Sequence, residues 1–138
     1  MGKRRDGREA AVQFLFNGDL NNDLGAEDLD TFFSLRQARP ATQEFAAELI
    51  RGVLEHHSEI DGRIEGRLQN FELNRLSVVD RNILRLAVYE MFHRDDVPPI
   101  VSINEAVEIA KRFGTEDSGN FVNGVLDRLK GELTRPLR

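Results

Sequence analysis

Apolar residues recur along almost the whole chain at the 3.6-residue step of a helix, and no segment alternates with period two for long enough to make a strand. The chain should therefore be all-α. Around Arg4 to Asp19, one face carries Ala11, Val12, Leu15 and Phe16. Arg4, Arg5 and Arg8 project onto the same side and should extend past the core edge as a basic tip. Cations at a helix N-terminus oppose the macrodipole, and a phosphate partner would relieve that cost. The acidic stretch Asn17 to Asp30, with Asn21, Asn22 and Gly25 as breakers, reads as a turn into a short helix around Leu29 to Leu35, interrupted at Arg39-Pro40. Thr42 to Gln69 reads as one long helix. Ala46, Leu49, Ile50, Val53 and Leu54 have core-facing spacing there, continued by Ile60, Ile64 and Leu68, while Gly62 and Gly66 weaken the last turns.

Phe71 to Leu76 reads as a brief helical turn. Ser77 to Asp80 is a capping-box variant that opens a helix to about Phe92. Apolar residues cover most of its circumference, so it should be the central, most buried element, with Asp80, Arg81, Arg85 and Glu90 as the exceptions. Arg81 and Arg85 are i, i+4 neighbours and should form a basic stripe on its exposed side. Two prolines end the helix after Asp95-Asp96. A second capping box, Ser102 to Glu105, should start the next one, with Ile103, Ala106, Val107, Ala110 and Phe113 inward and Gly114 as its stop. A last helix begins near Thr115 to Ser118, striped by Val122, Val125, Leu126, Leu129 and Leu133. Phe121 lies about 100° off that stripe and is the best candidate for an exposed aromatic. Within this helix, Gly124 is a position where a close backbone approach would account for a glycine.

Six or seven helices with short connections and no internal repeat or linker suit one packed domain over residues 1–138. The chain has no cysteine, which excludes disulfides, thiolate metal sites and a cysteine nucleophile. Neither a membrane span nor a convincing signal peptide is visible, so a cytoplasmic location is expected. The net charge of −5 argues against a polyanion as partner, but its distribution argues otherwise. Residues 1–8 carry a local +3 and the rest −8, a basic arm on an acidic body.

No catalytic constellation assembles. His56-His57 with Glu55 and Glu59 reads as a solvated helix face, because adjacent histidines point about 100° apart. Asp95-Asp96 reads as ordinary loop chemistry before Pro98-Pro99 rather than as a metal site. Phosphate-binding loops and nucleophile elbows are missing, and no cofactor is expected. Arg4, Arg5, Arg8, Arg81, Arg85 and Phe121 are instead the parts that single-stranded RNA recognition uses: guanidinium forks for phosphates and a plane for base stacking. Two alternatives stay open on the residues alone. Arg81 and Arg85 pair with acids and Phe121 packs under a neighbouring helix, or the chain is a protein–protein adaptor or homodimer without RNA.

Three segments carry a resemblance: GREAAVQFLF in the first helix, RNILRLAVYEM in the central one, and DVPPIVSINEAVEIAKRFGTEDSGNFVNGVLDRL through the last two. With these the chain resembles the NusB family of bacterial transcription antitermination factors, strongly from Asp80 to Leu129 and weakly from Asn17 to Asn74. The resemblance implies two packed three-helix bundles, about seven helices in all, and no catalysis. It also implies binding of boxA-like single-stranded RNA together with NusE, a ribosomal small-subunit protein, within an RNA polymerase complex on ribosomal RNA operons. A stand-alone relative of the NusB-like domain of some ribosomal RNA methyltransferases is a further reading, and equally no enzyme.

Carried over position by position, the resemblance assigns RNA contact to Arg4, Arg5, Arg8, Arg81, Arg85, Asp117 and Phe121, and a place near the NusE surface to Asp80. Asp6 and Gly7 dilute the arginine motif, Phe16 stands where the family often has Tyr, and Gly119-Asn120 stand where basic residues are common. RNA affinity without NusE is therefore expected to be weak.

Overall fold

The computed structural model describes residues 2–20, 25–69 and 72–138. Among these residues the chain forms seven α-helices and no strand. They are α1 (Lys3–Leu20), α2 (Leu29–Arg36), α3 (Pro40–Glu55), α4 (His57–Glu65), α5 (Val78–His93), α6 (Pro99–Phe113) and α7 (Ser118–Lys130). Single 3₁₀ turns at Ala26–Asp28 and Leu73–Arg75 fill two connections. Asn21, Asn22 and the Phe71 start of the expected connector lie outside the described residues.

One group of helices is α1 to α3. α1 packs along α3, and Phe14 meets Phe32 of α2 edge to face at 5.3 Å. The second group is α5 to α7. Its first helix also touches α1, α3 and α4, so one core runs through both groups. The largest fully buried side chains include Phe14, Leu49, Ile50, Ile83, Leu84, Met91, Ile109, Leu126 and Leu129. α5 is the most enclosed element because it has helices around it, as its apolar circumference requires.

Local chemistry explains most boundaries. Gln37 ends α2 in the left-handed region, φ 57°. Pro40 takes the first position of α3, where its missing N–H costs nothing, and it holds Arg39 extended. Ser77 Oγ accepts from the Asp80 amide at 3.1 Å and caps α5.

Several expectations need correction. The helix expected from Thr42 to Gln69 is two helices, broken at His56 with φ −103° and ψ 20°. The core-facing stripe is preserved across the break, which is why periodicity alone reads straight through it. The capping box expected at Ser102 does not form, because Pro99 starts α6 three residues earlier. Ser102 is buried inside the helix and donates to Glu90 at 3.1 Å. Phe113, expected inward, is 48 % exposed at the last residue of α6, with Arg112 stacked on its ring at 4.9 Å. Glu90, an expected exception on the central helix, is buried. Gly124 has no close approach, since a Cβ there would meet only the far end of Arg128 at 3.7 Å.

Candidate nucleic-acid interface

Each arginine of the N-terminal arm has a carboxylate on the second helix group. Arg4 reaches Asp96 in the α5–α6 turn at 3.4 Å. Arg5 makes a two-pronged pair with Glu105 of α6, Nε to Oε1 at 2.9 Å and Nη2 to Oε2 at 2.6 Å. Arg8 does the same with Glu90 of α5 at 2.9 and 2.8 Å. These carboxylates, rather than a phosphate, relieve the unfavourable cations at the start of α1. Hydrogen bonding from Arg5 holds the Glu105 carboxyl below its usual range against the opposing effect of burial.

Arg8 therefore differs from the expected basic tip. It is 3 % exposed and inside the fold, while Arg4 and Arg5 remain within reach of solvent.

Arg81 and Arg85 also depart from the expected exposed stripe. Arg85 Nη1 donates to Asp19 at 2.9 Å, and its Nε and Nη2 donate to the two oxygens of Asp61 at 2.8 and 3.0 Å. Arg81 donates to Asp19 at 3.1 Å, and Asn82 donates to the same oxygen at 2.8 Å. Burial alone would raise the Asp19 carboxyl, but the Asn82 hydrogen bond and the two guanidinium groups together hold it low. The acids responsible lie on α1 and α4, out of sight of the local pattern on α5. Of the readings left open for these two arginines, pairing with acids is the one the fold adopts.

α1 and α5 run antiparallel, since Arg8 meets Glu90 while Asp19 meets Arg81 and Arg85. Eleven residues of α1 separate the two clusters, about 16 Å at the helical rise. They form two sites rather than one patch.

On α7, Asp117 is exposed at the helix start, and its carbonyl accepts from the Phe121 amide at 3.0 Å. Phe121, expected exposed, is half-buried and packs against the core. Gly119 is buried under the stem of Lys111, where a Cβ would lie 3.0 Å from Cγ. A larger residue at 119 would have to displace that lysine. Asp80 sits on the first turn of α5 with Oδ1 fully buried and without a hydrogen bond among the described residues.

Two further cations were missed by sequence reasoning. Lys111 and Arg112 line an open groove of about 250 Å³ with Arg5, Glu9 and Glu108, and Lys111 continues it to the start of α7. Arg112 is mostly exposed and pairs with Glu9 at 2.9 Å. Their place in the last turn of α6 reads as ordinary compensation of the macrodipole, which hides any second role.

A cation could be held only weakly. His93 joins His56 and Glu59, and donor atoms of the three lie within 4.8 Å of one another. The two rings are stacked at 3.9 Å, however, so their in-plane lone pairs run side by side rather than converging. Arg63 also holds Glu59 at 3.1 Å. Asp96 is likewise occupied, gripped by Arg94 at 2.9 Å through both oxygens. No helix among the described residues is long and apolar enough to cross a membrane.

The NusB family profile matches residues 5–130. The transcription antitermination protein NusB of Myxococcus xanthus is 45 % identical over 140 residues, covering 99 % of this chain and 100 % of the relative. A solved structure of T. maritima NusB superposes with a TM-score of 0.88 at 43 % identity, covering 98 % of this chain and 94 % of the other. A crystal structure of the antitermination factors NusB and NusE in complex with double-stranded RNA superposes with a TM-score of 0.87 at 29 % identity, covering 96 % and 99 % of the two chains.

Proposed function

The chain belongs to the NusB family, and from that premise we propose that it is a transcription antitermination factor that binds boxA-type RNA together with NusE. It acts as a single RNA-binding domain without catalysis, in the cytoplasm, within the RNA polymerase antitermination complex on ribosomal RNA operons.

The observation that carries this reading is the groove in which Arg5 lies beside Lys111 and Arg112, with Lys111 reaching Gly119 in the first turn of α7. Arg4 and Arg5 retain outward N–H edges beyond their carboxylate pairs and serve as phosphate contacts. Phe121 offers a ring edge for a base. Arg8 acts from beneath by fixing the helix that presents Arg4 and Arg5. The Arg81 and Arg85 cluster contributes where RNA or NusE reaches the far end of α1. Asp80, on the partly exposed first turn of α5, contributes to the NusE surface.

The internal pairing has an energetic consequence. A guanidinium already neutralised by a carboxylate attracts a phosphate less strongly, so binding to RNA alone is weak and NusE supplies part of the surface. The test is a titration of a short boxA RNA with the purified protein, with and without NusE, at several salt concentrations. Contact with about three or four phosphates of a single strand gives a log–log slope of roughly −2 to −3. NusE should tighten the binding. A flat salt response, or an assembly with NusE that never includes RNA, would overturn the reading in favour of a pure protein adaptor.

A further inference from the structure

The arginines that the motif points to are paired internally, which raises the question of where uncompensated positive charge lies. Lys3, Arg36 and Arg39 are exposed, and none of their side chains has a hydrogen bond or ion pair with a described residue. They come from two separate parts of the chain, the start of α1 and the α2–α3 turn, yet they line one open groove of about 700 Å³. Among the described residues its only carboxylate is Asp6, against three cations.

The floor of the groove adds to the positive potential. It contains Thr42, in the first turn of α3, a helix with no acidic residue in that turn and no side chain capping its N-terminus. The free amides and the positive end of the helix dipole therefore face the same space. Between Arg36 and Arg39 the backbone enters the left-handed region at Gln37, φ 57°, where α2 ends, and residues on both sides of that turn line the groove.

We propose that this groove binds the phosphodiester backbone of the RNA strand, as a phosphate track separate from the face formed by α1, α6 and α7. The inference rests on the RNA reading above and extends it to Lys3, Arg36 and Arg39. These side chains carry full, unshared charge, so they supply most of the salt-dependent affinity, while the paired arginines supply orientation. Arg5 and Lys3 lie near the same end of α1, so a single strand could run from one track to the other.

The test compares the full-length chain with an R36Q/R39Q variant, using a short boxA RNA and measuring affinity from low salt to 0.5 M. Both side chains are exposed and have no partner among the described residues, so the variant should melt at the parent's temperature. Losing two single-strand phosphate contacts should flatten the log–log slope by about 1.4 and weaken binding about tenfold at 0.15 M salt. Arg51→Gln is the control for net charge. It removes an equally exposed cation about 18 Å along α3 from Arg39 and should leave the slope unchanged. If the parent binds RNA and R36Q/R39Q binds with the same slope, or if Arg51→Gln lowers it equally, the groove is overturned while the RNA function stands. If the parent shows no salt-dependent RNA binding, both fall together.

Discussion

Arg4 and Arg8 lie one helical turn apart on α1 and end in opposite circumstances. The Arg4 side chain is 54 % exposed and its partner Asp96 49 %, so the pair is screened and contributes at most about 1 kcal/mol. Arg8 and Glu90 are almost fully buried, fork to fork, with Ser102 satisfying Glu90 further. Removing one partner strands a charge in the core. Arg8→Ala should therefore cost about 3–5 kcal/mol in urea unfolding. Replacing both partners by apolar residues, as in R8M/E90L, should cost less than Arg8→Ala alone. A loss below about 1 kcal/mol for Arg8→Ala would show that water reaches the pair.

At the level of elements, glycines separate helices that need close contact from helices that tolerate any residue. A Cβ built on Gly52 of α3 would lie 2.0 Å from the Tyr89 ring of α5, so the two helices meet there only because a side chain is missing. At Gly62 of α4 a Cβ would meet nothing within 4 Å. Alanine favours a helix interior by about 1 kcal/mol over glycine, so Gly62→Ala should raise stability by roughly 0.5–1 kcal/mol. Gly52→Ala should lower it despite the same propensity gain, because the ring must move. Thermal melts of the two variants should shift in opposite directions. The chain end is another contact between elements. Arg135 donates to the carbonyls of Met91, Arg94 and Val97, at 3.1, 2.9 and 2.7 Å, and so caps the C-terminus of α5 from 40 residues away. Local sequence could not signal that cap, because neither the arginine nor the carbonyls belong to a recognisable motif.

Across the whole molecule, carboxylates within and between the two helix groups have their protons held off by hydrogen-bonded partners. Asp96 is held low first by Arg94, and Glu105 by Arg5. Burial would raise Asp19 and Glu59, but Asn82 and the arginines on one, and Arg63 and His93 on the other, keep both low. All four are depressed in the folded state. Their contribution is therefore complete above the ordinary carboxyl range near pH 4 and is lost as pH falls through the lower folded values. The urea midpoint should be nearly constant from pH 7 to 5 and drop steeply toward pH 3. Asp19→Asn should be less stable at pH 7 but lose less on acidification. An equal acid drop in parent and variant would remove Asp19 from this account.

The sequence by itself determined the helical class, most helix positions, the central place of α5 and the stripes that form the core, because burial of apolar surface acts through a local period that can be read directly. The resemblance in the last third of the chain was legible for the same reason: spacing along helices is preserved in linear order. Only the tertiary structure decided which cations are free. Whether Arg8, Arg81 or Arg85 faces solvent depends on Glu90, Asp19 and Asp61, which lie 24 to 82 residues away along the chain. Charge pairing acts over a few ångströms of space and has no period, so the basic arm appeared unpaired in the sequence and is paired in the fold, with Arg8 buried. By the same logic, the unshared cations Lys3, Arg36 and Arg39 became a group only when α1 and the α2–α3 turn were brought together.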